Sequence, residues 1–134
     1  MNLVLDTSII IEIERSNKEI IAKLNELRKI YPGPPRISFM SYFEFLYGLR
    51  KKSIENKSKA QKFLELFEVI HTTNITAHYL VQLKEKYELS LTDLFIASQI
   101  METNNVLITK DKDFEKIEKY LDEIAKKYGL SDSL

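Results

Sequence analysis

The sequence contains no cysteine and only two histidines, His71 and His78. Without cysteine, the chain forms no disulfide bond and offers no thiolate ligand to a metal ion. Two histidines are too few for a histidine-rich zinc site. A metal site in this chain would therefore be built from oxygen ligands, which suit hard cations such as Mg²⁺.

Net charge and long hydrophobic runs are also missing. The 20 Lys and Arg residues balance the 20 Asp and Glu residues, so the whole-chain charge predicts no partner. Recognition of nucleic acid would then depend on local basic patches. No apolar run approaches the length of a membrane span, and no basic segment with an apolar core follows Met1. These features predict a cytoplasmic protein without a membrane partner.

Glycine and proline are scarce, with three residues of each in the 134-residue chain. All three prolines and one glycine fall within residues 31–35. That cluster is too short for a linker and predicts a loop between two elements. We therefore predict one domain over residues 1–134, a length that suits a single sizeable core.

Short apolar or β-branched stretches alternate with helical patterns along the chain. The predicted strands are residues 2–6, 36–40, 68–72 and 105–109. Apolar stripes with helical spacing lie at residues 20–27, 42–49, 60–67, 80–87 and 114–128. The last stripe predicts an amphipathic C-terminal helix over residues 114–130, closed by Gly129. The alternation predicts an α/β fold with a central parallel sheet of about four strands flanked by helices.

Four acidic residues fall near the carboxyl ends of the predicted strands. Asp6 closes the first strand, and Asp111 follows the last one. We place Glu44 in the first turn of the helix after residues 36–40, and Asp93 at the start of the apolar helix before the last strand. Carboxyl ends of parallel strands lie at one edge of a sheet, where ligands bind in α/β folds. We therefore predict that the four carboxylates meet at this edge.

Each acid also has a purely structural interpretation at a helix N-terminus. The candidate caps are Thr7 or Ser8 beside Asp6, Ser41 with Glu44, Ser90 with Asp93, and Asp111 alone. Taken one at a time, capping is the commoner role. Taken together, capping explains less well why all four acids share one edge. It also leaves Asp93 in an apolar run, residues 90–100, where a buried carboxylate requires a compensating charge.

A divalent cation would compensate all four carboxylates at once. Two like charges about 4 Å apart repel by roughly 4 kcal/mol at an effective dielectric constant near 20. Oxygen ligands of this kind suit Mg²⁺ or Mn²⁺. An all-carboxylate site with open positions matches metal-assisted phosphoryl transfer, in which the metal activates water and offsets charge in the transition state.

Four stretches resemble, in the same order, the PIN domain and specifically the VapC-type toxin ribonucleases of prokaryotic toxin–antitoxin pairs. They are LVLDTSIII (3–11), ISFMSYFEFLYGLRK (37–51), LSLTDLFIASQI (89–100) and VLITKDKDF (106–114). The resemblance implies a PIN-like three-layer fold and an endoribonuclease that uses Mg²⁺ or Mn²⁺ to cleave RNA. It also implies a homodimer that a small antitoxin protein holds inactive. The sequence departs from the family pattern after residue 114, where many relatives have another short strand.

The resemblance assigns roles to individual residues. The catalytic, metal-binding acids are Asp6, Glu44, Asp93 and Asp111. Asp113 is a further acid close enough to assist as a metal ligand, but it could equally be a helix N-terminal charge. Thr7, Ser8 and Thr109 match small hydroxyl positions that support the carboxylates. The main alternative is a catalytically silent PIN-like module that binds RNA or protein.

A basic segment follows the helix that carries Glu44. Arg50, Lys51 and Lys52 are candidates for binding RNA phosphates, although a solvated helix end is the commoner meaning of such a run. Phe43 and Tyr47 could stack on bases, although packing in a core or dimer is the commoner role of such aromatic residues.

Overall fold

The computed structural model describes residues 2–103 and 105–110, which form four strands and six helices. The strands are β1 (Leu3–Leu5), β2 (Arg36–Ser38), β3 (Glu68–Ile70) and β4 (Val106–Ile108). The helices are α1 (Thr7–Glu14), α2 (Lys18–Ile30), α3 (Phe39–Gly48), α4 (Ile54–Leu64), α5 (Asn74–Lys86) and α6 (Leu91–Thr103). The predicted alternation of strands and helices is confirmed. The predicted helix at residues 114–130 lies outside the described residues.

The four strands form one parallel sheet in the order β3-β2-β1-β4. The chain first adds β2 and β3 on one side of β1 and then places β4 on its other side. The strand order therefore reverses between β1 and β4. In open α/β sheets, ligands bind beyond the carboxyl ends of the strands at such a reversal. The fold alone thus predicts that a ligand site lies at the residues that follow β1 and β4.

Side chains of β1 alternate between two hydrophobic cores, one on each face of the sheet. Leu3 and Leu5 belong to one core and Val4 to the other, as the two-residue period of a strand requires. Helices α1 to α4 contribute to the first core, and α5 and α6 contribute to the second. Because helices cover both faces, the central strand β1 is apolar and buried along its whole length, whereas β2 and β3 begin with the charged residues Arg36 and Glu68. The three-layer α/β fold is confirmed.

Helix α3 begins earlier than the sequence predicted. Phe39 and Met40, which were predicted to end a strand, instead form its first turn. Ser38 is the N-cap, because its hydroxyl accepts a hydrogen bond from the Met40 backbone N–H at 3.1 Å. The predicted capping box of Ser41 and Glu44 is therefore wrong. Ser41 lies inside the helix, and Glu44 lies in the second turn rather than the first.

Among the described residues, no helix is long and apolar enough to cross a membrane.

Candidate active site at the carboxyl edge of the sheet

A cavity of about 400 Å³ lies at the carboxyl edge of the sheet and brings together three of the four predicted acids. Asp6 reaches it from the end of β1, Glu44 from α3, and Asp93 from the first turn of α6. The remaining lining residues are Thr7, Ser8, Ser90, Thr92 and Ile96. The cavity is therefore polar on most sides, with four hydroxyl groups beside three carboxyl groups.

Asp6 is the most deeply buried acid of this cavity, with 4% of its surface exposed. Its Oδ1 accepts hydrogen bonds from the Ser8 hydroxyl at 2.7 Å and from the Ile9 backbone N–H at 3.2 Å. Its Oδ2 accepts a hydrogen bond from the Thr109 hydroxyl. Asp6 itself is the N-cap of α1, so the prediction that Thr7 or Ser8 fills that position is wrong. The reason is that β1 ends at Leu5, which leaves Asp6 extended at the helix start.

The bond between Asp6 and Thr109 joins the ends of β1 and β4. The backbone supports the same junction, since the Asp6 N–H donates to the Ile108 carbonyl at 3.2 Å. This is the point where the strand order reverses, and it is where an α/β sheet binds its ligand. Asp6 therefore lies where topology alone would place a functional group.

Glu44 is connected to the first helix by one hydroxyl group. The Thr7 hydroxyl donates to Glu44 Oε1 at 2.7 Å, across 37 positions of sequence. Thr7 thus links α1 to α3 and fixes one oxygen of the carboxylate. The three hydroxyl residues that the resemblance assigned to supporting roles, Thr7, Ser8 and Thr109, all contact an acid of the cavity.

Asp93 differs from the prediction in its burial. It is only half-buried, and the buried part of α6 begins at the next residue, Leu94. The first residue of the helix, Leu91, is 56% exposed, so α6 begins at the protein surface and only its later residues are in the core. The Ser90 hydroxyl accepts a hydrogen bond from the Asp93 backbone N–H at 3.1 Å, which is the serine half of the predicted capping box. The expectation of a buried carboxylate at this position is wrong; the buried acid is Asp6.

The predicted acids Asp111 and Asp113 lie outside the described residues. The last described residue, Lys110, follows β4 and forms an ion pair with Glu12 of α1 at 3.7 Å between Nζ and Oε1. The pKa of Glu12 is lowered chiefly by a hydrogen bond from the Asn17 side chain and then by the positive charge of Lys110. This pair joins Lys110, the second residue after β4, to the helix that Asp6 caps.

The donor atoms of the cavity suit a hard divalent cation. Within residues 2–103 and 105–110, no lysine or arginine forms an ion pair with Asp6 or Glu44. Their charges are compensated by neutral hydroxyl and amide donors, and a cation would complete that compensation. Within the same residues, no group of three or more acids or histidines is drawn together closely enough to hold a metal ion. The described acids thus share a cavity without forming a closed ligand cage.

The predicted RNA-binding residues lie outside the acidic cavity and differ in their contacts. Arg50 donates to the Tyr47 carbonyl at 2.9 Å, and its guanidinium lies 3.8 Å from the centre of the Tyr47 ring. Tyr47 also stacks on Phe43, with ring centres 5.8 Å apart. Lys52 forms an ion pair with Glu14 at 3.4 Å, and Lys51 is exposed. Arg50 and Tyr47 therefore bind each other through a hydrogen bond and a cation–π contact, whereas the side chain of Lys51 is exposed to solvent.

Sequence reasoning missed Gln99, which is fully buried in α6. Its side chain amide contacts both Phe39 and Ile70, residues distant in sequence. A signal was present, because an uncharged polar side chain in an otherwise apolar, buried helix must find hydrogen-bond partners. The partners themselves could not be read from the sequence.

Comparisons with known proteins agree with this geometry. A family model described as PIN domain matches residues 3–120. The fold is similar to a solved structure of VapBC2 from Rickettsia felis bound to a fragment of promoter DNA, with a TM-score of 0.75 and 28% identity over 88% of this chain and 94% of that chain. No curated protein matches the sequence.

Two further solved structures are similar. VapBC-1 from nontypeable Haemophilus influenzae gives a TM-score of 0.73 and 26% identity over 89% of this chain and 94% of that chain. A toxin–antitoxin complex from Klebsiella pneumoniae gives a TM-score of 0.72 over 87% of this chain and 93% of that chain, and at 24% identity it supports the fold alone.

Proposed function

The chain belongs to the PIN-domain family, and from that premise we propose that it is a metal-dependent endoribonuclease, the toxin of a type II toxin–antitoxin pair. One observation carries the chemical part of this proposal. A buried carboxylate, Asp6, lies at the reversal of strand order and shares a cavity with Glu44 and Asp93. A helix cap alone does not require two further acids across the same cavity.

The residues of the cavity have distinct proposed tasks. Asp6, Glu44, Asp93 and Asp111 would hold Mg²⁺ or Mn²⁺, with Asp113 as a further ligand. The bound ion would supply Lewis-acid chemistry and lower the pKa of a coordinated water. Ser8, Thr109 and the Ile9 N–H hold the Asp6 oxygens in place, and Thr7 holds one oxygen of Glu44. Such support from outside the ligand set typically changes activity or metal affinity by about 10- to 100-fold.

The proposed reaction is hydrolysis of an RNA phosphodiester. Water attacks phosphorus, and the 3′ oxygen of the upstream nucleotide leaves with a proton. The products are then a 5′-phosphate and a 3′-hydroxyl. Attack by the neighbouring 2′-hydroxyl would instead produce a cyclic 2′,3′-phosphate, so the end groups distinguish the two routes.

The test is cleavage of a mixed RNA pool by purified protein in Mg²⁺ or Mn²⁺, with and without excess EDTA. We expect cleavage only with free metal, and 5′-phosphate ends on the products. An Asp93→Asn chain prepared in parallel serves as the control for a contaminating nuclease. Equal cleavage in EDTA would overturn the proposal, and absence of any metal-dependent cleavage would favour the silent binding module.

The toxin assignment has a separate basis. The similar solved structures from Rickettsia felis and Haemophilus influenzae, at 28% and 26% identity, are VapBC structures. We infer that a small antitoxin binds this chain as well, and that the chain acts as a homodimer on cytoplasmic RNA. The acids Asp6, Glu44 and Asp93 would attract an arginine of the antitoxin, since a guanidinium pairs with carboxylates bidentately.

The toxin assignment predicts an effect on growth. Expression of the wild-type chain alone should slow growth, and co-expression of a short neighbouring reading frame should restore it. The Asp93→Asn chain, expressed at the same level, should be harmless. Equal growth inhibition by both chains, or by neither, would remove the main support for this assignment.

A further inference from the structure

Gln99 is completely buried in α6, yet its side chain binds two other elements of the fold. Its Nε2 donates to the Ile70 carbonyl at 2.8 Å, and its Oε1 accepts from the Phe39 backbone N–H at 3.1 Å. Ile70 ends β3, and Phe39 begins α3. One side chain amide therefore joins α6 to the end of a strand and to the start of another helix.

Both partners are backbone groups at the ends of elements. The Phe39 N–H belongs to the first turn of α3, where backbone donors have no partner within the helix. An apolar side chain in place of Gln99 would leave this donor and the Ile70 carbonyl without their bonds. Unsatisfied buried backbone groups are unfavourable, so the local structure would shift to find other partners.

The bonded pair also lies on the two helices that carry Glu44 and Asp93 to the cavity. Glu44 is five residues after Phe39 on α3, and Asp93 is six residues before Gln99 on α6. At a helical rise of 1.5 Å per residue, these separations are about 8 and 9 Å. A shift of α3 against α6 at the Gln99–Phe39 bond would therefore move the Glu44 carboxylate relative to Asp93.

We propose that Gln99 is a positioning residue that sets the separation of Glu44 and Asp93 by holding the start of α3 against α6. Gln99 does not line the cavity, so it acts through these two helices and does not touch substrate. The effect on catalysis rests on the proposed function, whereas the effect on geometry does not.

The primary test measures geometry without metal or substrate. The chain has no cysteine, so Tyr47→Cys on α3 and Leu91→Cys on α6 provide two unique sites for nitroxide labels. Pulsed electron paramagnetic resonance then gives the distance distribution between the helices. We expect Gln99→Met to broaden or shift this distribution while the chain remains folded. Gln61→Met, the same change at an exposed position of α4, is the matched control and should leave the distribution unchanged.

A second variant covers the case in which Gln99→Met does not fold. Gln99→Glu keeps the size of the side chain and an acceptor for the Phe39 N–H but loses the amide donor to Ile70. We expect its distribution to lie between those of the wild type and Gln99→Met. A folded Gln99→Met chain with the wild-type distribution would overturn the proposal, as would a Gln99→Glu chain with that distribution if Gln99→Met does not fold.

The functional consequences are measured at a temperature where each variant is folded. We expect Gln99→Met to weaken Mn²⁺ binding and to lower kcat by about 10- to 100-fold with little change in KM, as for other residues that orient metal ligands. A purely structural role would lower the melting temperature and leave kcat and Mn²⁺ affinity of the folded fraction unchanged. If the wild type shows no nuclease activity, the proposed function fails while the distance measurement still decides the role of Gln99.

Discussion

The two sides of the acidic cavity are built differently. On the side of β1 and α1, Asp6 is buried and accepts three hydrogen bonds, two from hydroxyl groups and one from the backbone. On the side of α6, Asp93 is half-buried in the first turn of a helix that Ser90 caps. The first acid is thus part of the hydrogen bonding that joins β1, α1 and β4, whereas the second projects from a helix end that is already capped.

This difference distinguishes a carboxylate's contribution to stability from its contribution to catalysis. A buried acid with three donors contributes to stability whether or not it acts in catalysis, because its removal leaves those donors unsatisfied. The half-buried Asp93 lies near the positive end of its helix, a position that typically stabilises an acid by about 0.3–1 kcal/mol. Variants on the two sides should therefore resemble each other in activity and differ in stability.

The largest expected effect is loss of cleavage in Asp93→Asn. This change keeps the shape of the side chain and removes one negative charge from a group of like charges. We expect cleavage to fall by more than the roughly 100-fold loss seen for residues outside a metal's ligand set. Thermal stability without metal should be unchanged or higher, and stabilisation by added Mn²⁺ should shrink. RNA cleavage assays and thermal melts with and without Mn²⁺ measure both quantities.

A purely capping role for Asp93 predicts the opposite pattern. Activity would then be retained, and the melting temperature would fall slightly. Observation of that pattern would show that the side of the cavity formed by α6 is structural.

The next largest effect distinguishes the two sides by stability. Asp6→Ala removes an N-cap, which costs about 1 kcal/mol, and leaves the hydroxyls of Ser8 and Thr109 without their acceptor, at roughly 1 kcal/mol each. We expect a loss of about 2–3 kcal/mol in the free energy of unfolding. Asp93→Ala should cost less than Asp6→Ala, because Asp93 is only half-buried. Urea denaturation of both variants measures the difference, and equal losses would show that the two sides do not differ in this way.

Much of this arrangement could be predicted from the sequence, because apolar strands in a parallel sheet place their carboxyl ends at one edge. The positions of all four strands followed from the apolar pattern, and the meeting of Asp6, Glu44 and Asp93 followed from that rule. The contacts of individual side chains could not. Asp6 is buried where it accepts hydrogen bonds from Ser8, Ile9 and Thr109, and Asp93 is half-buried because the buried part of α6 begins only at Leu94. The local sequence pattern specifies neither arrangement.

Helix starts were the least predictable feature, since several residues near each start could act as the cap. The sequence favoured Ser41 for α3, whereas Ser38 pairs with Ile70 at the end of β2, is extended, and is the N-cap. The pairing is a contact between distant parts of the chain. The same is true of the bonds of Gln99, which no local pattern specifies.

A smaller effect is expected for the Thr7 hydroxyl, which connects α1 to α3 across the cavity. Thr7→Val keeps the shape of the side chain and removes the 2.7 Å hydrogen bond to Glu44. We expect activity to fall by about 10- to 100-fold, with less than about 1.5 kcal/mol lost in stability. Thr72→Val, at an exposed loop position, is the matched control. Wild-type activity in Thr7→Val would show that this bond does not organise the site.

The start of α3 provides a comparison between two buried serines. Ser38→Ala removes the N-cap and should cost about 1 kcal/mol in the free energy of unfolding. Ser41 is equally buried, and its hydroxyl has no hydrogen-bond partner within the described residues. Ser41→Ala should therefore be neutral or slightly stabilising. Chemical denaturation measures the free energy of unfolding of both variants. A larger loss for Ser41→Ala than for Ser38→Ala would support the capping box that was predicted from the sequence.

The smallest effect concerns Glu12, which joins α1 to Lys110, the second residue after β4. Its pKa in the folded protein is lowered, first by the 2.6 Å hydrogen bond from Asn17 and then by the charge of Lys110. Because the folded-state pKa lies below the unfolded value of about 4.3, ionised Glu12 stabilises the fold above that pH. The contribution is lost as the pH falls through the folded-state pKa. Wild type should therefore be slightly more stable than Glu12→Gln at neutral pH.

Denaturation of both chains across this pH range measures the contribution of Glu12. The difference between wild type and Glu12→Gln should close as the solution is acidified from neutral pH to below pH 4. The part due to Lys110 should also shrink in high salt, since exposed charges are screened. A Lys110→Met chain should show a smaller pH-dependent difference but not lose it, because the Asn17 bond is the larger cause. If the stability difference between wild type and Glu12→Gln instead grew on acidification, the ionised Glu12 carboxylate would destabilise the fold. The Asn17 hydrogen bond and the Lys110 ion pair would then not stabilise the connection between α1 and the end of β4.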